Sequence, residues 1–289
     1  MNIVGIMPIR SEAWIIRCTI PAALQWMDSL VVLNHASVDE TPQVLESLVE
    51  QYPGRLHVLR ESESRIWREM LHRQRLLLYA RGLRATHVCT IDADEVLSAN
   101  LVPKIRQIIG KLPHGVVMQL FWAHLWRGLD KVRVDGKWSK QWASMAFVDQ
   151  PKFHWRARDG YDHHHRHPFG VGPDDYHRPI AKSDGALLHL QHAVWPRLLA
   201  KQAWYKMMEI VRWPGREPVE RVDRKYSATV DETGIQLQPI PPEWYQGYGG
   251  LWAKVDTRFK GCWQSDECRR LVNLYGRGKF QGLDLFGVV

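Results

Sequence analysis

Three carboxylates stand within four residues at Asp92-Ala93-Asp94-Glu95, directly after the apolar, β-branched run at 87–91. That run reads as a buried strand. At its tip each carboxylate loses hydration, and like charges this close raise one another's pKa. A divalent cation removes both penalties. Mg²⁺ or Mn²⁺ prefers hard oxygen ligands and often takes only one or two carboxylates plus substrate phosphates. Asp92 and Asp94 are therefore candidate metal ligands. Taken alone, Asp-x-Asp equally describes a solvated acidic turn ahead of a helix starting near Asn100, and motifs this short often match by chance.

A second cluster, His163-His164-His165-Arg166-His167, invites a zinc reading, because alternate residues of a strand share one face. No Cys or carboxylate pattern completes a tetrahedral set, and the run abuts Pro168. A basic, hydrogen-bonding rim for an acceptor is the expectation.

The elements that must position these groups follow from periodicity. Strands are expected at 2–7 (broken by Pro8), 29–33, 56–59 and 87–91. Between them lie helices at 13–26, with Ser11 as N-cap, at 41–51, with Pro42 at its first position, and at 65–84. The last should bury Trp67, Met70, Leu71, Leu77 and Leu78. This alternation argues for an α/β fold: a parallel sheet with crossover helices, which binds ligands at the carboxyl ends of its strands. The polar clusters at 10–12, 34–41 and 92–95 all fall at such ends. Past residue 101 the pattern changes. Strands are expected at 116–121, 131–134, 143–148 and 186–190, with a turn at Gly136 joining the middle two as an antiparallel pair. Residues 149–184 read as a polar loop, and a helix runs from Trp195 to about Trp213, ended by Pro214-Gly215.

Composition bounds the rest. The chain has 289 residues, 45% hydrophobic and 24% charged, enough for a sizeable core. No apolar run approaches the ~20 residues of a membrane span, and the start reads as a first strand rather than a signal peptide. Four unpatterned cysteines suit a reducing cytoplasm. The net charge of +8 favours anionic partners such as nucleotide diphosphates, nucleic acid or acidic lipid surfaces. The 14 tryptophans suit sugar faces, unstacked bases or simply a Trp-rich core.

Four stretches in this order resemble glycosyltransferases of the GT-A fold, family 2-like branch: MPIRSEAW, LNHASVDETPQVLESL, WREMLHRQRLLLYA and IDADEVLS. The resemblance covers residues 1–110 and, more loosely, 185–205. It implies a Rossmann-like nucleotide-sugar-binding half at 1–110, merged with a mixed acceptor-binding half at 111–215 and an irregular C-terminal extension at 216–289. It implies a UDP-sugar donor and Mn²⁺ or Mg²⁺, with Asp92 near the ribose, Asp94 on the ion and Glu95 holding outer waters. Arg10, Glu12, Asn34 and Asp39 correspond to the nucleotide-binding loops, Asn34 standing where relatives carry Asp, and Arg75 to a basic residue near the phosphates. His189 and His192 are the candidates for a further metal ligand that the family places after the acceptor half; His189 is favoured because it stays in the strand. For an inverting transfer the general base is sought first at Asp174 and Asp175, then Asp149, and retaining chemistry stays open.

The acceptor is expected to be a glycan or a hydroxymethylated base in DNA. Two other classes compete. A non-catalytic nucleic-acid-binding protein would explain the charge but not the acidic motif. A metal-dependent nuclease would need further carboxylates for a two-metal site.

Overall fold

The computed structural model of the chain describes residues 1–62, 66–156, 166–170, 176–177 and 179–289. Its first part alternates as expected: β1 (Ile3–Ile9), α1 (Ile16–Ala23), β2 (Ser29–His35), α2 (Thr41–Gln51), β3 (Leu56–Glu61), α3 (Glu69–Gly82) and β4 (His87–Thr90). β1 is buried throughout and pairs in parallel with β2 on one side and β4 on the other, and β2 pairs in parallel with β3. All four carboxyl ends therefore share one edge of the sheet.

Three local expectations are corrected. β1 continues through Pro8, which lies opposite Leu33; the register with β4 ends at Ile6, so the missing N–H falls where β1 is no longer flanked on both sides. Ser11 does not cap α1. It sits at φ +55°, and its hydroxyl instead accepts the Val38 N–H at 3.0 Å. The buried face of α3 is Met70, His72, Arg73, Leu76, Leu77 and Ala80, while Leu71 and Leu78 are exposed. That face packs on Val4, Ile6, Val31 and Leu33 of β1 and β2. Arg73, three residues after Met70 and four before Leu77, is carried inside with them.

The chain continues through β5 (Glu95–Leu97), α4 (Val102–Ile109), β6 (Val117–His124), β7 (Lys131–Arg133), β8 (Trp142–Val148), β9 (Tyr176–His177) and β10 (Leu187–His189). The expected pairing of 131–134 with 143–148 does not form. β8 inserts antiparallel between β4 and β6, and β7 pairs with β11 (Leu237–Pro239) instead. β10 joins β6 in parallel and β5 antiparallel. Among the described residues the large sheet has nine strands in the order β3-β2-β1-β4-β8-β6-β10-β5, with β9 on β6.

The chain forms two compact units, each drawn from separated stretches. The first, Met1–His124, Gly136–His189 and Pro239–Asp256, holds the nine-stranded sheet. The second, Leu125–Asp135, Leu190–Gln238 and Thr257–Val289, is mostly helical: α5 (Trp195–Arg212), α6 (Val219–Ser227) and α7 (Trp263–Tyr275). Its polar anchor is Lys206. This fully buried ammonium donates to Asp223, Ser227 and the Asp284 carbonyl at 2.7–2.8 Å, satisfying all three of its hydrogens. No helix of the described residues is long and apolar enough to cross a membrane.

Candidate active site

β4 delivers the acidic motif to the carboxyl edge of the sheet. The Ile91 N–H still bonds the Ile6 carbonyl, after which the chain turns, with the Glu95 N–H on the Asp92 carbonyl at 3.1 Å. Glu95 closes the turn from the other side by accepting the Asp92 N–H at 2.8 Å. It also accepts the Trp122 indole N–H at 2.8 Å and the Arg166 guanidinium at 2.7 Å. Burial pushes the Glu95 carboxyl up, opposed first by the Arg166 guanidinium. Glu95 is thus an internal brace of the turn.

Asp92 is neutralised by the protein itself. Arg73 donates to Oδ1 at 3.0 Å and Arg166 to Oδ2 at 2.5 Å. Burial alone would raise its pKa, but the Arg166 and Arg73 guanidinium groups outweigh it and hold the carboxyl below the usual range.

Asp94 faces a histidine instead. The Nε2 of His189, at the end of β10, lies 3.5 Å from Asp94 Oδ2. The tautomer follows from the next shell. Burial holds His124 well below its ordinary pKa, so its ring is neutral. His124 Nε2 donates to Gln141 Oε1 at 2.7 Å, which leaves its Nδ1 to accept the Nδ1–H of His189 at 3.0 Å. With Nδ1 turned to His124, His189 presents Nε2 to the Asp94 carboxylate. Two acceptors aimed at one point form a site that a cation would stabilise, and an imidazole nitrogen with a carboxylate oxygen is a donor set that Mn²⁺ accepts. These residues fit a divalent metal. His192 lies in the second unit, where its ring stacks on Trp126 at 4.9 Å.

The nucleotide-loop candidates sit at the carboxyl ends of β1 and β2, joined to one another. The Ser11 N–H donates to Ser37 Oγ at 2.8 Å, and the Glu12 N–H to Thr41 Oγ1 at 2.8 Å. Asp39 accepts the Thr41 and Ala13 N–H groups at 3.0 and 3.2 Å, and Asn34 Oδ1 accepts the Ser37 hydroxyl at 2.6 Å. Glu12 accepts the Trp14 indole N–H at 2.6 Å. Arg10 is buried beside them. Asp39 and Glu12 thereby hold the two loops in register.

Two placements depart from expectation. Arg75 pairs with Glu61 at the end of β3, and the guanidinium that reaches the acidic motif is Arg73. Asp149 forms a two-pronged pair with Arg81 at 2.7 and 2.9 Å, and its N–H bonds the Thr86 carbonyl, at the amino end of β4. It lies at the opposite end of that strand from Asp92. Asp174, Asp175 and His163–His165 lie outside the described residues. Sequence reasoning missed Arg73, Trp122 and His124, and read Arg166 as part of an acceptor rim, whereas it donates to Asp92 and Glu95. Only Arg73 had a local signal, its spacing on the apolar face of α3.

The sequence profile described as Glycosyl transferase family 2 matches residues 6–167, a span that runs from within β1 through β4, the acidic motif and Arg166. The chain belongs to this family.

As a family 2 glycosyltransferase it carries the expected α/β arrangement, with parallel β1 to β4 and a mixed second half of the sheet. TarS of S. aureus aligns at 9% identity and a TM-score of 0.44, over 97% of this chain and 88% of that one. TarS in complex with UDP aligns at 17% identity and a TM-score of 0.35, over 45% of this chain. There the match spans only 36% of the neighbour's length. The mannosyltransferase PcManGT from Pyrobaculum calidifontis, in complex with GDP-Man and Mn²⁺, aligns at 15% identity and a TM-score of 0.41, over 96% and 75% of the two chains. No curated protein matches the chain significantly.

Proposed function

We propose that this chain moves a sugar from a nucleoside diphosphate donor, a UDP-sugar, to an acceptor hydroxyl, using Mn²⁺ or Mg²⁺ held by Asp94 and His189. The observation that carries this reading is the 3.5 Å approach of His189 Nε2 to Asp94 Oδ2 at the ligand-binding edge of the sheet. When bound, the cation supplies neutralisation of the charge that develops on the diphosphate as the sugar–phosphate bond breaks.

The remaining work falls to the chain. Asp92, its carboxylate positioned by Arg73 and Arg166, offers acceptor oxygens to the ribose hydroxyls. Arg10, Asn34 and the loops braced by Glu12 and Asp39 surround the base. The acceptor oxygen attacks the anomeric carbon, the nucleoside diphosphate departs, and the hydroxyl proton passes to a carboxylate, for which Asp174 and Asp175 are the candidates.

For the acceptor we infer a glycan or, where the charge serves as a phosphate-binding surface, a hydroxymethylated base in DNA. The observation supporting DNA is the +8 charge, together with exposed Arg216, Arg224, Arg277 and Lys279 on the second unit. A thermal-shift panel of nucleoside diphosphates with and without Mn²⁺ tests the donor side. A ligand at a hundred times its Kd adds about 2.7 kcal/mol. Stabilisation by UDP that requires metal and vanishes in Asp94→Ala is the expected result; no response to any diphosphate overturns the reading. Transfer of labelled sugar to hydroxymethylated but not unmodified duplex DNA tests the DNA acceptor, and transfer to neutral glycans alone overturns it.

A further inference from the structure

We propose that Trp122 is the positioning residue of the metal site, fixing both the turn that presents Asp94 and the ring of His189. The inference rests on the Asp94–His189 metal reading above.

Trp122 lies on β6, one strand from β10, and its N–H is fixed to the Gln141 carbonyl at 3.0 Å. Its indole does two things at once. The ring N–H donates to Glu95 Oε1 at 2.8 Å. The ring face lies on His189, with centroids 4.4 Å apart and planes only 13° from parallel. One side chain therefore touches the residue next to Asp94 and the second metal ligand itself.

Each contact removes a specific freedom. Glu95 exchanges two hydrogen bonds with Asp92 across the turn, one to its N–H and one from its own N–H to the Asp92 carbonyl. A buried carboxylate held by a charge-assisted bond from the indole keeps that turn, and so Asp94, in one place. An imidazole rotates broadly about its last torsion. Stacking on Trp122 sets the plane of His189, and the Nδ1 contact with His124 then sets which edge Nε2 presents to Asp94. The Arg166 guanidinium, 5.4 Å from the centre of the same ring, closes the other side of Glu95. Outer contacts of this kind orient metal ligands and commonly govern affinity as strongly as a ligand substitution.

The test is Mn²⁺ titration of the full chain, read by the EPR signal of free Mn²⁺, with and without UDP. Trp122→Phe keeps a ring face and loses the N–H; Trp122→Leu loses both. The expected result is a Kd for Mn²⁺ raised about tenfold in the first and towards a hundredfold in the second. A structural role alone would lower the melting temperature and leave Mn²⁺ affinity alone, so affinities within twofold of wild type in both variants overturn the proposal. Trp122→Tyr replaces the Phe variant if that one does not fold. Asp94→Ala in the same titration separates the two claims. Loss of Mn²⁺ binding there, with retention in the Trp122 variants, sinks only the role of Trp122. Retention in Asp94→Ala sinks the site reading and this proposal with it.

Discussion

Arg73 and Asp92 meet at 3.0 Å, joining the inner face of α3 to the end of β4 through a guanidinium whose side chain is 1% exposed. Glu69 braces the same guanidinium one helical turn away, at 2.8 Å. Removing one member of a buried charge network leaves its partners, here Glu69 and Asp92, less compensated, at a cost of about 3 kcal/mol. Arg73→Ala should lower unfolding stability by about that amount in urea titration. Arg75→Ala, whose pair with Glu61 is largely solvated, should cost under about 1 kcal/mol. Equal effects would show that the buried network contributes nothing particular.

The two aspartates of the motif should separate in their phenotypes. Asp94→Asn should abolish metal-dependent stabilisation by a nucleoside diphosphate while leaving the apo melting temperature within a few degrees. Asp92→Asn weakens the contacts with Arg73 and Arg166 and should lower the apo melting temperature itself. Differential scanning fluorimetry with and without Mn²⁺ reads both. Identical behaviour of the two variants would contradict this division.

Acid sensitivity should come from His35 and His72. Burial, then the nearby Arg10, pushes His35 down to about 4; burial, then His35 and neighbouring arginines, pushes His72 to about 3. Their rings pack at 4.6 Å, and neither ring nitrogen of His35 has a hydrogen-bond partner among the described residues. Unfolded histidines bind protons near pH 6.5, so between that value and the folded pKa the unfolded chain holds more protons. Stability from this source is full above about pH 6.5 and is lost as pH falls towards 4 and then 3. The slope approaches ~1.4 kcal/mol per pH unit for each histidine. His35→Phe should reduce the slope by about one proton in urea titrations between pH 6.5 and 4.5. An unchanged slope would assign the acid sensitivity elsewhere.

Gly185 sits at φ +154° immediately ahead of Ala186 and β10, and a Cβ there would lie 2.5 Å from Leu101 Cγ and 2.9 Å from Ser98 Oγ. The Ala186 N–H bonds that same hydroxyl at 3.0 Å, so the side chain of Ser98 cannot simply withdraw. Gly185→Ala should destabilise the fold by about 1–3 kcal/mol. Because β10 ends in His189, Mn²⁺ affinity should fall with it. Intact stability and metal binding would mean that the segment shifts freely.

The sequence by itself determined the first half of the sheet. Alternating apolar runs and amphipathic stretches dictate β1 to β4 and their crossover helices, and a parallel sheet places the ends of its strands at one edge. Asp92, Asp94 and the loops at 10–12 and 34–41 were legible for that reason: each follows its strand directly. Tertiary structure alone decided the rest. Which arginine of α3 turns inward depends on how the helix rolls on β1 and β2, so Arg73 and Arg75, two residues apart, end on different faces. Asp149 looked available until Arg81, 68 residues away, closed on it. The insertion of β8 between β4 and β6 and the placement of β10 against both β5 and β6 bring Trp122, His124 and His189 to Glu95 and Asp94. No spacing in the chain encodes that meeting, because strand order in a mixed sheet is set by packing between segments far apart in sequence.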